Sequence, residues 1–202
     1  MFKHTIPSIF PLIAPTLTWR VNTADKVLYF TFDDGPHPTI TPKLLRLLDE
    51  YDAKATFFCV GQNVSKYPEA FTQIIDSGHA IGNHTYDHLK GWTTKNEAYL
   101  LNIEKAKTFI PSKLFRPPYG RITPSQIKLL KDDYKIIMWS VLTRDYDKKL
   151  NPYKALTKLN KLTKPGDIIV FHDSEKANIN MFILVEGMLK YFKERCYSFK
   201  SL

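Results

Sequence analysis

The run Val27-Leu28-Tyr29-Phe30-Thr31-Phe32 ends on Asp33-Asp34 and is cut off by Gly35-Pro36. β-branched and aromatic residues favour an extended strand, and a Gly-Pro pair stops it as a turn, so both carboxylates are carried to a strand tip. That is where α/β enzymes keep their chemistry. Adjacent aspartates repel each other and are poor strand formers. The pair either initiates a turn with its side chains in water, or is compensated by a cation or by separate hydrogen-bond partners.

From Lys26 onward, short apolar strands alternate with amphipathic helices. Helical spacing places Leu44, Leu45, Leu47 and Leu48 on one face of a first helix over 41–51, with Thr41-Pro42 as its N-cap and first turn. A strand over 55–60 follows, then a helix over 68–76 with Phe71, Ile74 and Ile75 inward and Ser77-Gly78 as its stop. A short strand at Ala80-Ile81 runs into Gly82-Asn83-His84. A helix over 94–110 is opened by Thr93 or Thr94 with Glu97, in the manner of a capping box. Strands are expected at 114–116, 136–140, 168–171 and 197–199, and helices at 124–131, 152–162 and 178–192.

These units are too few for an eight-fold barrel and suit a parallel sheet closed into an incomplete one of about seven strands. The alternative is an open doubly wound sheet. Polar clusters after the first, third, fourth, fifth and sixth strands favour the barrel, because a ring brings that many strand ends to one pocket. The expected organisation is an N-terminal segment, 1–25, lying on a single domain, 26–202. There is no internal repeat, low-complexity segment or linker.

Hydrophobic residues at 44% and charged residues at 24% describe an ordinary globular chain and exclude a disordered or membrane-embedded one. The net charge of +9 owes much to Lys148, Lys149, Lys154, Lys158, Lys161 and Lys164. Their spacing suits solvated helix faces rather than a nucleic-acid groove, and it tolerates an anionic glycan. Cys59 and Cys196 have no metal-knuckle spacing and read as buried apolar thiols, a disulfide between them being possible but not indicated. Ile6–Trp19 is apolar but broken by Pro7, Pro11 and Pro15, has only Lys3 and His4 ahead of it, and shows no clear cleavage site. It is a poor signal peptide and too short to span a bilayer. The default expectation is a cytoplasmic monomer, with cell-envelope association left open.

His84-Thr85-Tyr86-Asp87-His88 sets two imidazoles four residues apart. Were the segment one helical turn, both would face one metal, joined by Asp34 or Asp33 from the first strand. Two histidines and a carboxylate leave coordination positions open, as a catalytic rather than structural site does. Arg116-Pro117-Pro118-Tyr119-Gly120 puts a fixed cation on a stiff loop, suited to a bidentate grip on a carboxylate. Phe171-His172-Asp173 ends an apolar run with a histidine at the pocket rim.

Thr31–Pro36, His84–His88, Arg116–Tyr119, Asp145-Tyr146 and Val170–His172 occur in the order of the five motifs of the polysaccharide deacetylases, and the chain resembles that NodB-homology, carbohydrate esterase family 4 group over 26–192. The resemblance implies a distorted seven-stranded β/α barrel, one divalent metal (usually zinc, sometimes cobalt or another ion) and removal of acetyl groups from glycans such as peptidoglycan or chitooligosaccharide. It implies Asp33 as general base, Asp34, His84 and His88 as metal ligands, and Arg116 as the residue that positions the base. It further implies His172 as general acid, Asp145 as its orienting carboxylate, and Pro117, Tyr119, Tyr146 and Val170 as substrate-binding residues. Two positions depart from the pattern: Leu142 stands where members often have aspartate, and Tyr146 where they have tryptophan. Arg116 is then held by another acceptor or is more mobile. Two other readings use the same residues: an O-acetyl polysaccharide esterase, and a metal-holding glycan-binding protein whose activity has decayed.

Overall fold

The structure, a computed structural model, describes residues 4–5 and 14–202. The expectation for Ile6–Trp19 therefore falls partly, at 6–13, outside the described residues.

Among the described residues the strands are β1 (Val27–Asp33), β2 (Ala55–Cys59), β3 (Ala80–Asn83), β4 (Leu114–Phe115), β5 (Lys135–Ile136), β6 (Val141–Leu142), β7 (Ile168–His172) and β8 (Ser198–Phe199). The helices are α1 (Ile40–Glu50), α2 (Gly61–Lys66), α3 (Pro68–Asp76), α4 (Asn96–Lys107), α5 (Pro124–Leu130), α6 (Pro152–Leu162) and α7 (Asn178–Lys193). Seven strands follow the order β5-β4-β3-β2-β1-β7-β6, every pair parallel. β8 lies parallel to the start of β1, at Val27 and Leu28. The sheet curls into the incomplete barrel expected. Its two edge strands, β5 and β6, are consecutive in the chain and unpaired with each other. Two described residues ahead of β1 meet the chain at this seam: Thr18 bridges Ile137 and Thr5 bridges Val141.

β1 is an interior strand, flanked by β2 and β7, and is buried almost throughout. Successive side chains of a strand point to opposite faces. Leu28, Phe30 and Phe32 therefore face the helices, where Phe32 stacks on Phe57 and Phe171 at centroid separations of 5.0 and 5.4 Å. Leu44 and Leu48 of α1 and Met181, Leu184, Val185 and Met188 of α7 close this layer. Thr31 and Asp33 face the barrel interior. A second cluster of Leu17, Trp19, Tyr99, Ile103, Phe115, Tyr134 and Ile136 fills the space under α4 and α5.

The structure corrects several local expectations. α1 starts one residue early with Thr39 at its N-cap, and Thr41 turns inward to bond Asp173 instead of capping. Ile75 is 46% exposed, so only Phe71 and Ile74 of α3's apolar trio are buried. α4 begins at Asn96 behind Lys95, with no side-chain cap. The genuine capping box is at α5, where Thr123 and Gln126 bond reciprocally. Of the expected strand over 136–140 only Ile136 is in a strand, as the end of β5, which pairs with β4; β6, which pairs with β7, begins beyond it at Val141. α2 was not expected. Both cysteines are free, Cys59 buried and Cys196 exposed. The six lysines named above are all exposed, but only Lys154, Lys158 and Lys161 lie on a helix, α6; Lys148, Lys149 and Lys164 lie outside it. No helix of the described residues is long and apolar enough to cross a membrane.

Candidate active site

The ends of β1, β3, β4 and β7 open into a cavity of about 450 Å³. Asp33, Asp34, His84, His88, Tyr119, Tyr146, Val170 and His172 all line it. Arg116 and Asp145 are fully buried behind its floor. Pro117 departs from the expectation: it is buried and does not line the cavity, and its carbonyl instead accepts the Gly120 N–H at 2.9 Å.

Register accounts for the floor. β1 and β7 pair Thr31 with Val170 and Asp33 with His172, so the carboxylate and the imidazole stand side by side on the interior face. Because Thr31 shares that face, Arg116 Nη1 donates to both Thr31 Oγ1 and Asp33 Oδ1 at 2.7 Å. Arg116 Nε and Nη2 donate to the carbonyls of Ile137 and Met138, at 3.2 and 2.9 Å. Its guanidinium lies 4.1 Å over the Phe58 ring. The contact with Asp33 is thus single rather than bidentate. Four acceptors immobilise Arg116 without help from position 142, where Leu142 simply lines the cavity wall.

Asp34 lies just past the strand, at φ 80°, and its carboxylate turns away from Asp33 toward the histidines. Asn63 Nδ2 donates to the Asp34 carbonyl at 2.7 Å. The Val60 N–H donates to the Gly35 carbonyl at 2.9 Å. Asp173 completes the brace: its Oδ1 accepts the Gly35 N–H at 3.0 Å and its Oδ2 accepts the Thr41 hydroxyl at 2.7 Å. Position 35 must be glycine here, since a Cβ would lie 2.1 Å from Asp173 Oδ2. Burial pushes the Asp173 carboxyl up to about 7.

His84 and His88 do not share a helical turn. His84 follows β3, and the loop after it reverses through Thr85 and His88 at φ 64° and 54°. Asn102 of α4 pins this loop by accepting the N–H groups of Tyr86 and Asp87. The histidines converge all the same, with Nε2 atoms 3.9 and 3.2 Å from Asp34 Oδ1. One ligand atom from each of Asp34, His84 and His88 lies within 4.8 Å of the others. The His84 Nδ1–H donates to the Arg116 carbonyl at 2.7 Å, which leaves the Nε2 lone pair facing the triad. Burial lowers the His84 pKa to about 4, so the ring is neutral and free to ligate. Burial pushes the Asp34 carboxyl up, yet His88, His172 and His84 outweigh it and hold the group below the usual carboxylate range. Two imidazoles and one ionised carboxylate fit a divalent ion such as zinc.

On the opposite wall, Asp145 Oδ1 takes the His172 Nδ1–H at 2.7 Å, and its Oδ2 accepts the His172 backbone N–H at 2.7 Å. Burial alone would push the imidazole down; the Asp145 charge and hydrogen bond outweigh it and lift the pKa to about 9. Tyr146 meets His172 edge to face at 5.0 Å and gives the cavity an aromatic wall there.

Sequence reasoning missed Thr31, Asn63, Asp173, Trp139, Arg121 and Lys176. Period-two alternation from Asp33 back to Thr31, and the carboxylate directly after His172, were available signals. Asn63 belongs to the unexpected α2 and gave none.

A parallel barrel that sets a carboxylate and a paired imidazole beside a metal-fit triad defines a hydrolase site. Residues 20–134 match the family described as polysaccharide deacetylase. The chain is 35% identical over 194 residues, 92% of its length and 91% of the relative's, to a Bacillus cereus protein named peptidoglycan-N-acetylglucosamine deacetylase. It is 33% identical over 162 residues, 76% of its length and 77% of the relative's, to the chitooligosaccharide deacetylase of Azorhizobium caulinodans. The crystal structure of the Bc1960 peptidoglycan N-acetylglucosamine deacetylase superposes with a TM-score of 0.86 at 27% identity, covering 98% of this chain and 95% of that one. The chain belongs to the polysaccharide deacetylase family, and the relatives named here are hydrolases of N-acetyl amide bonds.

Proposed function

We propose that this chain hydrolyses N-acetyl groups of N-acetylglucosamine-containing glycans, with one divalent metal, zinc by its donor set, held by Asp34, His84 and His88. The observation that carries this reading is the placing of Asp33 beside His172, with the Asp34-His84-His88 triad in the same cavity. When bound, the ion supplies Lewis acidity toward the acetyl carbonyl and makes water a better acid.

The protein supplies the proton transfers. Asp33, fixed by Arg116, takes a proton from the water that attacks the carbonyl carbon. A backbone N–H at Tyr119, where the chain turns at φ 61°, supports the developing oxyanion. His172 carries a proton to the sugar nitrogen as the C–N bond breaks, so acetate and a free amine leave. Arg116 pairs with the Asp33 carboxylate, while Asp145 lowers the acidity of the His172 imidazole, which separates base from acid. A glycan-binding protein has no need of that separation, and its retention favours turnover over decay.

The test is acetate release from N-acetylated chitooligosaccharide, peptidoglycan and acetylated xylan. Release from the first two that stops on chelation and returns with zinc is expected. Undiminished release after verified metal removal would overturn the metal assignment, and release from xylan alone would establish the esterase reading.

A further inference from the structure

Two cations line the mouth of the cavity, Arg121 from the loop after β4 and Lys176 from the turn after β7. The site chemistry uses neither. The carboxylates lining the cavity, Asp33 and Asp34, are already engaged, by Arg116 and by the histidines. Neither Arg121 nor Lys176 forms an ion pair with a described carboxylate. Both are set on aromatic rings: Arg121 lies 5.1 Å over Trp92 and Lys176 5.4 Å over Tyr146. A third cation, Lys90, lies 5.5 Å over Tyr119.

Arg121 in particular is preorganised. Its carbonyl accepts the Gly91 N–H at 3.1 Å, and its own N–H donates to Pro118. The preceding Gly120, at φ 63°, lies so close to Trp139 that a Cβ would meet the indole at 2.4 Å. Trp92, under the guanidinium, is fixed by its indole N–H to the Ile122 carbonyl at 3.1 Å. The fork is held at the rim before any ligand arrives, so less side-chain freedom is lost on binding. Trp92 and Tyr119, 62% and 59% exposed, present flat apolar faces beside these charges. Sugar rings stack on such faces, and a carboxylate borne by a sugar meets the guanidinium in the geometry it matches best.

We propose that Arg121 and Lys176 form a carboxylate-recognising rim, so that the preferred substrate is an N-acetylated glycan carrying a carboxylate near the acetamido group rather than a neutral homopolymer. The inference rests on the deacetylase reading for the cavity's role as a glycan site. It adds a specificity that the groups on the cavity floor do not supply.

Titration calorimetry on the full chain tests it, in the Asp33→Asn background to block turnover. Three ligands of equal length are compared: an N-acetylated tetrasaccharide with a carboxylate on alternate sugars, the same compound with those carboxylates converted to primary amides, and neutral chitotetraose. The carboxylate form should bind about tenfold more tightly than its amide at low salt, and the advantage should shrink at high salt. Arg121→Gln and Lys176→Gln should each remove most of that advantage, while Arg121→Lys should restore part of it. Equal affinity for carboxylate and amide, or an advantage that survives both glutamine substitutions, would overturn the inference. Acetate release from chitotetraose by the unaltered chain reads the deacetylase assignment separately, so failure of one cannot be mistaken for failure of the other.

Discussion

Replacing Asp145 by asparagine isolates the proton that His172 is proposed to donate. In the native site the imidazole holds its proton to about pH 9 rather than 6.5. That difference corresponds to about 3 kcal/mol in favour of the charged ring. Because the folded value lies above the unfolded one, the stabilisation is fully present below pH 6.5. It fades as pH rises from 6.5 to about 9 and is gone above that. Asparagine keeps an acceptor for Nδ1–H but removes the charge, so burial, which opposes protonation, loses its main counterweight and the pKa falls toward or below its ordinary value. At pH 8 the protonated fraction then drops from about nine-tenths to a few hundredths. We expect kcat to be about 30-fold lower at pH 8 and within about twofold of wild type at pH 5.5. Acetate release across pH measures this, with NMR titration of the His172 ring in the metal-free protein as a direct readout. A shifted ring with an unmoved alkaline limb of kcat would show that His172 is not the acid. An unshifted ring would show that Asp145 does not hold its proton.

Three other substitutions probe the remaining parts of the site. Asp33→Asn should lower kcat by about 10²- to 10⁴-fold while zinc binding, followed by titration of the metal-free protein, is retained; loss of metal here but not in Asp34→Asn would reverse the two assignments. Leu142→Asp should lower kcat/KM by about tenfold, because Arg116 already has four acceptors and a third carboxylate in the cavity disturbs both proton-transfer groups. A clear rise in kcat/KM would mean instead that the natural site is an impaired form of the family's. Gly35→Ala should destabilise the fold by about 1–3 kcal/mol in urea unfolding, since its Cβ would collide with Asp173; wild-type stability would show that the brace yields freely.

The sheet was legible because its strands are uninterrupted apolar runs bounded by Gly, Pro and Asp, and burial on both faces demands such runs. β5 and β6 were not separable, since 136–142 is one largely apolar stretch in which β5 ends at Ile136 on β4 and β6 begins at Val141 on β7. Thr41 illustrates a local signal overridden by tertiary structure: a good capping residue by type, it is drawn inward to satisfy the buried Asp173. The histidine pair was legible as a pair but not as a shape. Its spacing suits a helical turn, whereas the loop reaches the same convergence through two positive-φ residues anchored by a side chain of α4, a long-range contact that spacing does not encode.

Asp33 and Asp34 show how neighbours of one residue type come to be proposed for different work. Asp33 is the last residue in β-register, so the pleat directs it inward to a guanidinium that Thr31, two residues earlier, also binds. Asp34 is the first residue free of the pleat, and φ 80° swings its carboxylate to the histidines, out of reach of Arg116's donors. Opposite charges thus compensate each aspartate separately, a cation on one side and imidazoles fit for a metal on the other, which relieves the repulsion that made the pair an improbable structural choice. The same independence explains position 142. Once the carbonyls of Ile137 and Met138 hold the guanidinium from behind, its grip on Asp33 no longer needs an aspartate there, and leucine leaves the cavity wall apolar beside His172.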